Sequence, residues 1–142
     1  MEVSFVRRQL AGAIERARRA AQDRRQLTAE AEKGYEAFLA EVATPVVRQL
    51  ANVLKVDGYP FAVSTPGGSV RLDSDHGRSD YLELGLDTTG PRPEVVVRRS
   101  RTRGSRLLAD EHPVKPGAAP QDISEEEVLS FLLKMLEPWL ER

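Results

Sequence analysis

An α+β fold is predicted by three features of the chain. Apolar residues recur at steps of three and four from Val3 to Leu54, short strand-like runs separated by turns occupy residues 60–110, with clear alternation at Leu82, Leu84 and Leu86, and helical spacing returns over residues 124–141. Steps of three and four line up side chains on one helix face, whereas alternation lines them up on one strand face. The expected architecture is a long N-terminal helical segment, a four- or five-stranded antiparallel meander, and a C-terminal helix packed on the same sheet face. At 142 residues the chain is expected to form one domain.

The first region spans residues 3–56. Its stripe runs through Val3, Val6, Leu10, Ile14 and Ala17, then resumes at Leu27, Ala31, Tyr35, Phe38, Leu39, Val42, Val46, Leu50, Val53 and Leu54. Between these parts, Ala20 to Gln26 offers almost no apolar side chain. Thr28 is a suitable cap, and Glu30 and Glu32 suit the positive end of a new helix. A break near residues 23–28 is therefore expected. Thr44-Pro45 is a second candidate break, because proline pushes the residue before it toward extended geometry and fits a first helical turn. Length also argues for breaks: an unbroken helix would reach about 80 Å, against a radius of gyration of about 14–15 Å for a compact chain of this size. If the helix were continuous, its apolar stripe would outrun the sheet and need a second chain to cover it.

The strand region, residues 60–110, is punctuated by turns. Phe61–Thr65 and Ser69–Asp73 flank Pro66-Gly67-Gly68, which reads as a hairpin. Leu82, Leu84 and Leu86 alternate with Tyr81 and Glu83, marking a strand covered on one face. Glu94–Ser100 is rich in β-branched residues, with Val95 and Val97, or Val96, facing the helices. Arg103-Gly104-Ser105 turns the chain into a short last strand, Arg106–Leu108. Connections this short permit only antiparallel neighbours.

Residues 112–122 hold three prolines and a glycine and read as a surface linker. The helix at 124–141 opens with Ser124-Glu125-Glu126-Glu127, the pattern of a capping box, with Ile123 and Val128 placed as a hydrophobic staple. Val128, Leu129, Leu132, Leu133 and Leu136 are expected to form its covered face. Pro138 is expected to end or kink the helix, leaving Trp139 and Leu140 as a packed tail.

Composition narrows the function classes. Hydrophobic residues make up 40% and charged residues 30%, a balance typical of soluble globular chains. The chain has no cysteine, which excludes disulfides, thiolate metal sites and cysteine nucleophiles and fits a cytoplasmic location. No secretory h-region or membrane-length apolar run occurs, so no membrane association is expected. Glu15 and Asp23 interrupt the cationic character that a transit peptide or surface-lying helix would need.

Net charge is −1 overall but unevenly spread. Residues 1–26 carry seven arginines against three acids, residues 92–106 six against one, and residues 110–142 eight acids against three cations. The 92–106 hairpin, through Arg98, Arg99, Arg101, Arg103 and Arg106, is a candidate site for nucleic acid or another polyanion, because arginine grips phosphate bidentately. No Phe, Tyr or Trp lies between Tyr81 and Phe131 to stack bases there. Asp73, Asp75, His76 and Asp80 offer ligands of the kind a divalent metal takes, but their spacing is not that of an EF-hand. Either histidine, His76 or His112, could pair with Asp80 or Asp110, yet no G-x-S-x-G nucleophile turn is present. Pro66-Gly67-Gly68-Ser69 lacks the lysine and following helix of a phosphate-binding loop. Tyr35, Phe38, Tyr59, Phe61, Phe131 and Trp139 are expected to pack the core. The chain thus reads as a non-enzymatic interaction or binding module without a cofactor, acting as a homodimer through its N-terminal helices. A protein partner and, less favoured, nucleic acid are the other partners considered, and a metal-dependent enzyme using the 73–80 loop is the remaining alternative.

Overall fold

The structure is a computed structural model that describes every residue except His76, Arg78 and Arg142. Its elements follow the predicted order. Helix α1 covers Val3–Phe38, a π turn Leu39–Ala43, and helix α2 Thr44–Val56. Five strands follow: β1 (Phe61–Ser64), β2 (Val70–Ser74), β3 (Tyr81–Asp87), β4 (Glu94–Arg103) and β5 (Arg106–Pro113). A 3₁₀ turn at Pro120–Asp122 leads to helix α3, Glu125–Leu140.

The expected break at residues 23–28 is absent, and α1 is helical throughout. Alanine, arginine, glutamine and leucine are all strong helix formers, and no glycine or proline interrupts the stretch. A gap in the apolar stripe marks missing cover, not missing helix. Pro45 does not restart the helix either. Proline lacks an N–H and its ring would press on the carbonyl four residues back, here that of Glu41. The chain widens into the π turn just upstream, where the Thr44 amide donates to the Leu39 carbonyl, and helical geometry carries on into α2. Continuous helix therefore runs from Val3 to Val56, about 80 Å at 1.5 Å per residue.

The sheet is a simple meander in the order β1-β2-β3-β4-β5, antiparallel throughout. Register settles which valines face inward. Leu84 pairs with Val97 and Leu86 with Val95, so both valines share the leucines' face, while Val96 lies on the other side. Helix α2 lies over β1 and β2, and α3 packs beside α2. Leu72, Leu82, Leu84, Val70, Val95 and Val97 of the sheet meet Val47, Leu50, Val128 and Leu136 of the helices in one core. The Pro66–Ser69 turn places Gly68 in the left-handed region, at φ 77°, where glycine carries no steric penalty. Its carbonyl accepts a 2.6 Å hydrogen bond from the Tyr35 hydroxyl, which ties α1 to the hairpin.

Two further boundaries differ from expectation. Strand β5 runs on to Pro113, so His112 and Pro113 belong to the sheet and the linker begins after them. Helix α3 passes through Pro138 to Leu140. Trp139 is buried there against Phe61, ring to ring at 6.0 Å and nearly perpendicular, and this contact outweighs the proline's local preference. The capping box forms as predicted: the Ser124 hydroxyl accepts from the Glu127 amide, and the Glu127 carboxylate accepts from the Ser124 amide.

Candidate functional site

The predicted site residues are scattered. The 73–80 loop does not gather its acids around a common point. Asp73 accepts a 2.6 Å hydrogen bond from the Ser64 hydroxyl on the sheet face away from the helices. Asp80 is buried and ties the molecule together: one oxygen accepts from the Thr102 amide at 2.8 Å, the other from the Trp139 indole at 3.1 Å. Asp75 is exposed, and His76 lies outside the described residues. Among the described residues no three His, Asp or Glu side chains come together in a way that could hold a metal ion.

The hairpin arginines play unequal parts. Arg99 faces the core side of β4 and grips Asp110 of β5 bidentately, at 2.9 and 2.7 Å, while a third N–H reaches the Met135 carbonyl of α3 at 3.1 Å. It joins sheet to helix and has little left for an outside anion. That bidentate grip holds the Asp110 carboxyl below the usual carboxylate range, helped by His112 at 2.7 Å. Arg98 points to the opposite face, between Glu83 and Glu111 in register. Arg103 and Arg106 sit at the exposed β4–β5 turn.

The two arginine-rich stretches do approach one another, but through different residues. A groove of about 540 Å³ runs between α1 and the β3–β4 loop, lined by Arg24, Arg25, Thr28, Thr88 and Pro93 among others. A smaller groove of about 340 Å³ shares Leu27 and Pro93 with it and is bordered by Arg92. Among the described residues none of these three arginines forms an ion pair. The arginines gathered at this end are Arg24, Arg25 and Arg92 rather than those of the 98–106 hairpin, and Glu30 and Glu32 line the same grooves.

A separate ionic cluster escaped sequence reading. On the outer sheet face Arg71 bonds Glu83 at 2.6 and 2.8 Å and stacks 4.0 Å over the Tyr81 ring. These residues are cross-strand neighbours, and only the register reveals them. Nearby Tyr35 is pushed up to about 12 by burial, with Glu83 adding to the effect. This phenol stays protonated at neutral pH and donates its hydrogen bond to the Gly68 carbonyl.

The largest unexplained feature is apolar. No residue from Val3 to Ala20 is buried. Val6, Leu10 and Ile14 keep 47, 58 and 43% of their surface exposed. Their stripe lapses after Ala17 and resumes at Leu27, ahead of the seam that buries Tyr35 and Phe38 further along the same helix. Helix α3 adds a second such surface. Leu129 and Leu133, expected in the covered face, are 39 and 41% exposed. The apolar arc at 128, 129, 132, 133 and 136 is wider than the sheet and α2 can cover, so its outer pair is left in solvent.

No helix among the described residues is long and apolar enough to cross a membrane. No protein family, curated protein or solved structure matches this chain.

Proposed function

We propose that the protein is a non-enzymatic interaction module that self-associates as a homodimer through the projecting half of α1. One observation carries this reading: the helix that buries Tyr35 and Phe38 also carries a second apolar stripe, Val3, Val6, Leu10 and Ile14, that nothing in its own chain covers. A second copy is the occupant best suited to it, because a heptad seam is complemented by another amphipathic helix surface, which each copy supplies. Magnitudes set the strength. Val6, Leu10 and Ile14, about half exposed, would contribute on the order of 5–10 kcal/mol when two copies cover them. That is similar to the roughly 4–15 kcal/mol lost in association. These three side chains alone therefore do not hold a dimer at micromolar concentration, and further contacts between the copies must contribute.

Sedimentation equilibrium at tens of micromolar tests the reading. A dimer mass is expected for the wild type, and a monomer of unchanged far-UV circular dichroism for Leu10→Asp/Ile14→Asp. A wild-type monomer over that whole range overturns it.

A second reading, binding of nucleic acid or another polyanion, is favoured by Arg24, Arg25 and Arg92 beside the α1 grooves, which form no ion pair among the described residues. Fluorescence anisotropy with a labelled oligonucleotide should then show affinity falling steeply with salt, and Arg24→Ala/Arg25→Ala should weaken it about tenfold, the loss of two phosphate contacts. No binding at low salt overturns this second reading.

A further inference from the structure

The two uncovered surfaces have matching layouts. On α1 the order is Arg7, Leu10, Ile14, Arg18; on α3 it is Glu126, Leu129, Leu133, Glu137. Both run at steps of three, four and four, so each places two apolar side chains on one helix face between two like charges. The charges are positive on α1 and negative on α3. All eight residues are exposed, and among the described residues none of the four charged side chains forms an ion pair or side-chain hydrogen bond. Each layout covers eleven residue steps, about 16 Å along the axis, so the end charges come into register whichever way the helices run.

We propose that the projecting half of α1 from one protomer docks on the exposed ridge of α3 of its partner, and that a two-fold axis repeats this contact. Leu10 and Ile14 then cover Leu129 and Leu133, while Arg7 and Arg18 meet Glu126 and Glu137. The inference rests on the self-association proposed above and names the surface that receives the helix. A helix's own α3 does not serve: α1 is unbroken helix from Val3 to Phe38, and nothing in its own chain buries Val3 to Ala20. Pairing α1 with α1 would also cover the stripe, but it would bring together two segments that each carry seven arginines against three acids. Docking on α3 sets this excess against a C-terminal region with eight acids and three cations. Opposite charge steers the encounter and fixes register, and rejects the like-charged alternative.

Salt separates the two dimers by sign. Attraction between α1 and α3 is screened, so dissociation should become easier as ionic strength rises; repulsion between two α1 segments is also screened, so that dimer should tighten. The test is sedimentation equilibrium of the whole chain at low and high salt, with Arg7→Glu/Arg18→Glu, with Glu126→Arg/Glu137→Arg, and with the two variants mixed one to one. Each variant alone should dimerise at least tenfold more weakly than wild type. The mixture should regain wild-type affinity, because both contacts of the mixed dimer again pair opposite charges. All the substituted side chains are exposed, and unchanged circular dichroism will show that each variant folds. A dimer that tightens with salt, or that is indifferent to the α3 substitutions, overturns the proposal while leaving self-association standing. A wild-type monomer under every condition overturns both.

Discussion

Compare two lengths of the same helical run. In the first, Leu10 and Ile14 stay about half exposed; in the second, Phe38, Val47 and Leu50 retain 3, 2 and 6% of their surface. Both are helical with apolar residues at steps of three and four, although the first is far richer in arginine and the second more apolar. The difference lies outside the helix: from Tyr35 onward the sheet, the 3₁₀ turn and α3 lie against it, and before Ala21 nothing does. Periodicity makes a helix amphipathic, but whether its apolar face is buried depends on what the remaining chain can supply.

Predictions that would break this contrast can be ranked by size. Phe38→Ala should cost about 3–5 kcal/mol in urea unfolding, the usual loss for emptying a packed aromatic site. An effect below 1 kcal/mol would show that the second length is not anchored as the structure has it. Next come the ties that hold the cover in place. Asp80→Ala strands the Thr102 amide and the buried Trp139 indole N–H, and at about 1–3 kcal/mol for each orphaned donor the loss should be on the order of 2–5 kcal/mol. A shift in tryptophan fluorescence should accompany it.

A smaller, pH-dependent effect belongs to the Arg99–Asp110 pair. The folded-state pKa of Asp110 is depressed by the Arg99 hydrogen bonds first, then by His112. Its stabilising contribution is therefore complete above the ordinary aspartate pKa of about 3.9 and fades as pH falls through the lower folded value. Asp110→Asn should flatten the wild-type decline in urea midpoint below about pH 4; an unchanged acid profile would show that the pair contributes nothing. Smallest of all, Leu10→Ala should change the stability of the dilute protein by no more than about 0.5 kcal/mol, as surface substitutions do. A cost like that of Phe38→Ala would mean that the first length is covered within the protomer.

Much of the fold was readable from short-range patterns. The Leu82-Leu84-Leu86 alternation, the Pro66–Gly68 turn and the Ser124–Glu127 box are all decided by residues within a few positions of each other, and each forms as predicted. The misreadings share a different cause. Pro45 and Pro138 looked like stops because proline opposes helix locally, yet a π turn absorbs the first and the burial of Trp139 holds the second inside α3. Leu129 and Leu133 looked covered because helical spacing cannot say how wide the opposing surface is. The candidate site was less legible still. Arg99 meets a carboxylate eleven residues away, and Asp80 meets an indole 59 residues away; neither pairing leaves a periodic trace. The approach of Arg92 to the Arg24–Arg25 end of α1 likewise depends on where the β3–β4 loop lands.

By itself the sequence determined the kind and order of the elements, the antiparallel meander and the amphipathic faces, because propensity, capping, turn chemistry and alternation act over a few residues. Only the tertiary structure decided which faces find cover, which arginines are spent on internal pairs, and that one helix runs unbroken past its own core. Those outcomes depend on contacts between distant parts of the chain, where the area available for burial, and not the pattern, sets the limit.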